Sequence, residues 1–265
     1  MRVLIVLLLA AAAAAFAPGC QESGFDERKE TARPLKVQHV MGESKVPGQA
    51  ERVATLTLDS LDDTLALRVR PVRAAVPPPA LPGYLRGPVA GVRLMPRVGD
   101  AGLSPLRAAK PDLIIGRQSG LFAKLSRIAP TVITESGSGQ WKLNLRLVGE
   151  ALGRTNDAEA LLTEYDRRVA AVRRVVEGGP SVAVARRTND GWLLASRGSF
   201  AATILADAGL RQARSLARAD LVLASGTPRP RVDGRVEAVD GAAWWGPGGV
   251  FAARAALEDL QRIVR

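Results

Sequence analysis

The sequence predicts an α/β protein in which one long helix joins two lobes with largely parallel sheets. Three observations predict this fold class. Short apolar runs of strand length recur along the chain, helical patterns lie between several of them, and one amphipathic pattern of about twenty residues divides the chain into two blocks. Alternation of strands and helices favours parallel sheets with crossover helices.

The N-terminal segment resembles the export signal of a bacterial lipoprotein. Arg2 precedes the unbroken apolar run 3–17, and Pro18, Gly19 and Cys20 follow it. The run is short for a membrane span, and small residues precede the cysteine. We therefore expect residues 1–19 to be a lipoprotein signal peptide and Cys20 to be lipidated, which would hold the exported chain on the outer face of the cell membrane or on the periplasmic side of an envelope membrane. Alternatively, Cys20 is an ordinary residue near a conventional cleavage site.

Beyond this signal, the chain divides into a tether and three folded parts. Residues 20–34 are polar, charged and without an apolar period, which is typical of a flexible tether. The predicted parts are an N-terminal lobe at 35–154, a linking helix at 155–179 and a short C-terminal lobe at 180–265. The apolar runs that predict strands are 53–58, 113–115, 131–133, 182–185, 192–195, 221–224 and 236–239.

The long helix is predicted over residues 157–176. Its apolar residues recur at spacings of three, four and seven, so they form one face of a helix of roughly 30 Å. Asn156 is the predicted N-cap, with Glu159 reaching back to it three residues later, and the Gly178, Gly179 and Pro180 sequence ends the helix. A single long helix between two lobes is a hinge of low compliance.

The residue inventory argues against enzyme chemistry. Cys20 is the only cysteine and His39 the only histidine. With Cys20 lipidated, no disulfide, thiol nucleophile or zinc-cysteine site remains, and histidine-rich metal sites are excluded by the same count. A serine triad would have to use His39, which lies in a strand-like segment near the N-terminus, and no nucleophile-elbow pattern is present. We expect no catalytic residue, no protein-bound metal and no cofactor.

The charge of the chain favours an anionic partner. The formal net charge is +11, carried mainly by arginine. Nucleic acid is a poor candidate, because the chain carries an export signal and lacks a basic block with interleaved aromatic residues. A general arginine preference that scatters charge over a solvated surface explains the composition equally well.

Three arginines follow predicted strands, where ligands bind in parallel sheets. Arg117 follows run 113–115, Arg197 follows run 192–195, and Arg187 follows run 182–185 directly after Arg186. Guanidinium groups are suitable donors for the carboxylate or catecholate oxygens of an anionic chelate. We expect Arg117, Arg197 and Arg187 to bind such a ligand, although an arginine-rich chain also places arginines after strands by chance.

Two motifs carry a resemblance to a known family. They are KPDLIIGR, which ends at Arg117, and IAPTV at 128–132, with support from LVGEALG at 147–153 and the glycine-rich turn after Trp244 and Trp245. The sequence from Leu35 onward resembles the periplasmic-binding family for iron siderophores, haem and cobalamin. The resemblance implies two Rossmann-like lobes joined by a rigid helix, with the ligand between them and little domain closure.

Within that family, the sequences around Arg117 and Arg197 look like those of the siderophore-binding branch. The resemblance implies that these arginines contact the chelate, and that Trp141, Trp244 and Trp245 are aromatic residues on the cleft wall. The ligand would be a ferric siderophore or ferric citrate whose chelator keeps the iron, delivered to the permease of an ABC importer. Haem or cobalamin as ligand, or a sensor or scavenger lipoprotein uncoupled from transport, stay as alternatives.

The chain departs from the family where relatives engage their importer. Family members usually carry a glutamate in each lobe that pairs with permease arginines. Ser104 occupies the first of these positions, and residues 210–220, where the second is expected, contain no glutamate. The sequence therefore lacks the acidic residues with which family members engage their importer.

Overall fold

The computed structural model describes residues 33–76, 81–99, 102–176 and 178–264, which belong to one compact unit. The predicted signal peptide, Cys20 and the tether up to residue 32 lie outside the described residues. The described part forms two α/β lobes joined by a long helix, so the predicted fold class is confirmed.

The N-terminal lobe is built on a sheet of five parallel strands in the order β5-β4-β3-β6-β7. These strands are short and mostly buried, as expected for a parallel sheet covered on both faces. They are β3 (Val53–Thr55), β4 (Arg73–Ala75), β5 (Leu94–Met95), β6 (Leu113–Gly116) and β7 (Thr131–Ile133). The helices of this lobe are α1 (Leu58–Ala66), α2 (Leu103–Ala108), α3 (Phe122–Leu125) and α4 (Trp141–Ala151).

An antiparallel hairpin precedes this sheet. Strands β1 (Leu35–His39) and β2 (Gly42–Val46) pair with each other, and Ser44 Oγ donates a hydrogen bond of 2.9 Å to the carbonyl of Thr131. Because Thr131 is the first residue of β7, the hairpin lies at the amino edge of the parallel sheet.

The linking helix α5 (Thr155–Val176) confirms the predicted long helix and begins two residues earlier than predicted. The predicted capping at Asn156 is wrong, because that residue lies inside the helix. Both carboxylate oxygens of Glu159 accept hydrogen bonds from Arg146 on α4, at 2.6 and 3.2 Å. Glu159 thus links two neighbouring helices instead of closing the end of its own.

The C-terminal lobe has a sheet with parallel strands in the order β10-β8-β11-β12, and β9 pairs antiparallel with the end of β8. The strands are β8 (Ser181–Thr188), β9 (Gly191–Leu194), β10 (Arg211–Gln212), β11 (Leu221–Ser225) and β12 (Arg235–Ala238). The helices are α6 (Phe200–Asp207), α7 (Gly241–Trp245) and α8 (Val250–Ile263).

Strand β8 is longer than the apolar run 182–185 that predicts it. The hairpin with β9 extends its pairing to Thr188, so Arg186 and Arg187 lie within the strand and not after it. Their side chains therefore point to opposite faces of the sheet, because successive residues of a strand alternate. The two arginines cannot both face one ligand.

One hydrophobic core runs through both lobes and the linking helix. Trp141 of α4 makes edge-to-face contacts with Tyr165 of α5, at 4.9 Å between ring centroids, and with Phe200 of α6, at 6.0 Å. A core shared in this way resists independent movement of the lobes, because separating them would expose these aromatic rings to water. This packing agrees with the low-compliance hinge predicted for α5.

Candidate ligand-binding site

A cavity of about 430 Å³ opens at the carboxyl edge of the N-terminal sheet. Its walls come from the end of β4 and from the segments that follow β3, β5 and β6, and Pro247 of the C-terminal lobe also lines it. Ligands of parallel sheets bind at this edge. The lining residues are Leu56, Thr57, Leu58, Asp59, Ala75, Arg97, Val98, Arg117, Gln118 and Pro247.

Arg117 is the predicted site residue that the structure places in this cavity. It directly follows β6, and its Nη2 donates to Asp59 Oδ2 of α1 at 2.5 Å. The Arg117 side chain is 24% exposed, whereas the Asp59 side chain is 3% exposed. Asp59 therefore holds the Nη2 end of the guanidinium, while Arg117 Nε is enclosed and has no hydrogen-bond partner among the described residues.

The loop that carries Arg117 is fixed by its neighbour Gln118. Gln118 Nε2 donates to the carbonyl of Leu56 at 3.0 Å, and its Oε1 accepts from the Arg117 amide at 2.9 Å. A Cβ at Gly116 would lie 2.6 Å from Gln118 Oε1 and 2.7 Å from Leu56 Cβ, so only glycine fits there. This packing presets the backbone position of the arginine, which lowers the ordering cost of binding.

Arg97 is the second cationic residue of the cavity, and sequence reasoning missed it. It follows β5 and is exposed, and no ion pair joins it to another described residue. The only sequence signal is that it lies two residues after a short strand. Two guanidinium groups on apolar walls make this cavity suited to an anionic ligand with apolar parts.

Helix α1 carries three buried aspartates, which the sequence analysis also missed. Asp59, Asp62 and Asp63 are each at most 2% exposed. Burial raises the pKa of Asp62 to about 7, although hydrogen bonds from backbone amides oppose the shift. Burial, followed by repulsion from Asp62, raises the pKa of Asp63 well above its usual value. The charge beneath Arg117 therefore changes with pH.

Asp62 connects the two parts of the chain that enclose the cavity. Its carboxylate accepts hydrogen bonds from the amides of Phe251, at 2.8 Å, and Ala252, at 3.1 Å, in the first turn of α8. It is thus the N-terminal cap of a helix that begins nearly 190 residues later. Gly249, with φ 123°, allows this approach, because a Cβ there would lie 2.5 Å from Asp62 Cγ.

Tyr84 is a further residue between the two sides of the cavity. It lies in the short turn after β4, and its hydroxyl is 3.5 Å from the position that a Cβ of Gly246 would occupy. Burial, and then the negative charges of Asp62, Asp240 and Asp59, raise the pKa of Tyr84. It therefore stays a neutral hydrogen-bonding group near Pro247.

On the C-terminal lobe, Arg186 and Trp245 form a stacked pair. The Arg186 guanidinium carbon lies 5.0 Å from the centroid of the Trp245 ring, within the range of a cation–π contact. Arg186 is exposed, and Trp245 Nε1 is enclosed with no hydrogen-bond partner among the described residues. Trp245 is a predicted aromatic site residue. Its indole ring and the guanidinium of Arg186 form a stacked pair, and Trp245 lies two residues before Pro247 in the chain.

The other predicted site residues lie elsewhere. Arg187 is on the opposite face of β8 from Arg186, and its Cβ is close to Gly226. Arg197 lines a separate cavity of about 400 Å³ together with Gln212 and Arg214. The structure therefore does not gather the three predicted arginines around one ligand.

Trp141 and Trp244 belong to the hydrophobic core, with exposures of 2% and 1%. Trp141 packs between Tyr165 and Phe200, as described above, and Trp244 Nε1 donates to Asp259 of α8 at 3.0 Å. Neither ring reaches the surface of the cavity. Their positions support the walls of the site from behind.

His39 does not line the cavity and lies in the β1–β2 hairpin. Its Nε2 is 2.9 Å from Ser44 Oγ, and partial burial lowers its pKa. Among the described residues, no group of three or more acidic, histidine or cysteine side chains could hold a metal ion. No helix in the described ranges has the length and apolar character needed to span a membrane.

Comparison with known families gives a match over the centre of the chain. Residues 101–218 match the model of the family described as periplasmic binding protein. That segment belongs to the periplasmic binding protein family. Its members are substrate-binding proteins, and the matched residues include Arg117, α5 and Arg197. The family recognised from the sequence motifs is confirmed there.

Two curated relatives are similar in sequence. The chain is 31% identical over 158 residues to the probable siderophore-binding lipoprotein YfiY of Bacillus subtilis, covering 57% of this chain and 49% of the relative. It is 27% identical over 125 residues to the Fe(3+) dicitrate-binding periplasmic protein FecB of Escherichia coli, covering 45% and 42%. The matched regions span about half the length of these curated relatives.

The likeness in fold extends over most of the chain. The crystal structure of Staphylococcus aureus SirA complexed with staphyloferrin B superimposes with a TM-score of 0.72. The match covers 86% of this chain and 97% of SirA, at 22% sequence identity. At this identity the comparison supports the two-lobed periplasmic binding protein fold.

Proposed function

We propose that this periplasmic binding protein captures an anionic ferric siderophore or ferric citrate outside the cytoplasm. The observation that carries the proposal is the cavity between the lobes, with Arg117 preset at the end of β6 and Arg97 beside it. The names of the relatives, which refer to siderophore and ferric dicitrate binding, support the same ligand class.

The ligand would bring its own metal ligands. The cavity offers cationic donors and one carboxylate, Asp59, which is already paired with Arg117. Guanidinium groups cannot coordinate iron, but they bind the peripheral carboxylate or catecholate oxygens of a chelate with charge-assisted hydrogen bonds. In this proposal the chelator keeps the iron, and Arg117, Arg97 and Arg186 bind the negatively charged oxygens of the chelate.

The apolar part of the site would contact the organic frame of the chelator. Leu56, Ala75, Val98 and Pro247 line the cavity, and Trp245, which stacks with Arg186, lies two residues before Pro247 in the chain. A ligand that combines anionic oxygens with rings or methylene groups would use both kinds of surface. Haem and cobalamin also have apolar frames, so they are the comparison ligands for the same titration.

The test is a fluorescence titration of the full chain with a panel of ferric chelates. Trp245 and its neighbours supply the signal. We expect quenching with a dissociation constant of about 1 µM or tighter, equivalent to roughly 8 kcal/mol, for at least one anionic ferric chelate. Arg117→Glu should abolish this binding, whereas the exposed double variant Arg229→Glu and Arg231→Glu should not. No quenching by any ferric chelate would contradict the proposal.

The anchoring of the chain is a second proposal. We infer that Cys20 carries the lipid that keeps the protein at the membrane, as the sequence around it predicts. Incorporation of radiolabelled palmitate into the full chain, and its loss in Cys20→Ala, would support this assignment. An unlabelled wild-type chain would exclude it.

Delivery to an ABC importer permease is the third part of the proposal, and one observation favours a different role. Ser104 lies exposed on α2, at the position where the family resemblance implies a glutamate. A sensor or scavenger of the same fold needs no such contact. Recovery of an iron-type permease with the full chain from native membranes would support the importer role, and its absence in the presence of ferric chelate would favour the uncoupled one.

A further inference from the structure

A second cationic cavity lies at the opposite edge of the N-terminal sheet from the proposed chelate site. Its volume is about 400 Å³, and its walls include Arg52, Arg70, Arg73 and Arg93. These arginines precede or begin β3, β4 and β5, so they mark the amino edge of three adjacent strands. The chelate site lies at the carboxyl edge, and the two cavities share no lining residue.

Among the described residues, no carboxylate lines this cavity. The remaining lining residues are apolar or glycine, and no ion pair joins the four arginines to another described residue. The nearby carboxylate of Asp112 accepts hydrogen bonds from the backbone amides of Glu51 and Arg52, at 2.8 and 2.9 Å. Four like charges in one concave site repel each other unless an anion joins them.

Two of the arginines are held in place by the surrounding structure. Arg52 Nε donates to the carbonyl of Lys110 at 2.9 Å, and its Nη2 donates to the carbonyl of Ala109 at 2.5 Å. Arg73 Nε is enclosed and has no hydrogen-bond partner among the described residues. A buried donor without an acceptor is costly, so this group favours a ligand or water that accepts a hydrogen bond.

The other two arginines are exposed and free to close on a ligand. Arg70 lies against Gly91, where its Nη1 would be 3.4 Å from an added Cβ, and Arg93 precedes β5. Neither makes a hydrogen bond or ion pair with a described residue. Planar guanidinium forks bind the oxygens of a phosphate group two at a time, which suits a site with two fixed and two movable forks.

We propose that this cavity is a binding site for a phosphate group, separate from the chelate site. The phosphate could come from a phospholipid headgroup or from a soluble phosphate. A phospholipid headgroup is consistent with the proposed lipid anchor at Cys20. The β1–β2 hairpin, which begins the described chain, lies at the amino edge of this sheet, as the cavity does.

The test is calorimetric titration of the full chain, in non-ionic detergent at constant ionic strength. One arm uses inorganic phosphate, and the other uses glycerophosphoglycerol, the soluble headgroup of phosphatidylglycerol. We expect saturable binding in at least one arm with a dissociation constant of about 1 mM or tighter. Binding of glycerophosphoglycerol alone assigns the lipid source, and binding of phosphate alone assigns the soluble one. No saturable binding in either arm would overturn the proposal.

Charge reversal at the cavity gives the matched comparison. Arg70→Glu with Arg93→Glu should weaken phosphate binding at least tenfold, while ferric chelate binding and the unfolding midpoint stay within error. Arg229→Glu with Arg231→Glu makes the same charge change at two exposed residues and should alter phosphate binding less than twofold. An equal loss of phosphate binding in both double variants would show that phosphate is attracted by the net charge alone, which would reject the site. The single variant Arg93→Gln should give a smaller loss of phosphate binding. Because this change is milder than charge reversal, it separates a loss of binding from misfolding.

Discussion

The inter-lobe contact of Asp62 makes stability depend on pH in a direction that can be calculated. Its carboxylate is fully buried, and burial raises its pKa to about 7 from a usual value of 3.8. Between these two values the folded chain binds a proton at this site and the unfolded chain releases it. The contribution to stability is therefore complete below about pH 4 and is lost as the pH rises towards 7.

The magnitude follows from the width of this window. Each pH unit inside it changes the free energy of unfolding by about 1.4 kcal/mol. Going from pH 5 to pH 8 crosses roughly two units of the window, so Asp62 alone should lower the free energy of unfolding by about 3 kcal/mol. Asp63, whose pKa is also raised, acts in the same direction.

The perturbation is Asp62→Asn, which removes the titration and keeps one of the two oxygens that accept from the amides of Phe251 and Ala252. We expect urea unfolding at pH 5 and pH 8 to show a difference in free energy at least about 2 kcal/mol smaller in the variant than in the wild type. Glu258→Gln removes an exposed carboxylate and should leave the wild-type difference unchanged. Equal pH dependence in Asp62→Asn and the wild type would contradict a raised pKa of Asp62 in the folded chain.

Three further outcomes follow from the site. Arg117→Met should lower the free energy of unfolding by about 2 kcal/mol at pH 7, because it leaves the buried carboxylate of Asp59 unpaired. Adding Asp59→Asn to this variant should recover most of the loss, as measured by denaturant titration. Gly249→Ala should cost more than about 2 kcal/mol by thermal melting, since its Cβ would overlap Asp62, whereas Gly178→Ala, with open space around it, should cost less. Arg186→Ala should weaken ferric chelate binding about tenfold by fluorescence titration while Arg187→Ala, on the other face of β8, should change it less than twofold; equal effects would remove Arg186 from the site.

The elements of the fold that local periodicity determines could be predicted from the sequence. Helix α5 shows a clear apolar face over more than five turns, and runs 113–115 and 131–133 form buried parallel strands close to the predicted bounds. Arg117 was also predicted correctly as a residue at the carboxyl edge of a strand, because its position depends only on the end of β6.

The residues that were missed owe their environment to distant parts of the chain. Asp59, Asp62 and Asp63 resemble the polar face of a short exposed helix, and their burial depends on the arrival of α8 nearly 190 residues later. Arg186 and Arg187 could not be told apart, because the end of β8 is set by its pairing with β9. The same limit applies to Trp141 and Trp244, since an aromatic residue beside a predicted cleft fits the core as well as the wall.

The central claim is that this chain holds an intact anionic ferric chelate through the arginines of the cavity between its lobes. Equilibrium dialysis of the full chain against ferric citrate and a ferric catecholate, each labelled with radioiron in the metal and radiocarbon in the chelator, tests this claim, because the two labels report iron and chelator separately. We expect retention of at least one complex, with iron and chelator retained in the same ratio as in the free complex, and loss of both in Arg117→Glu. Retention of iron without its chelator, or equal retention by Arg117→Glu, would contradict it.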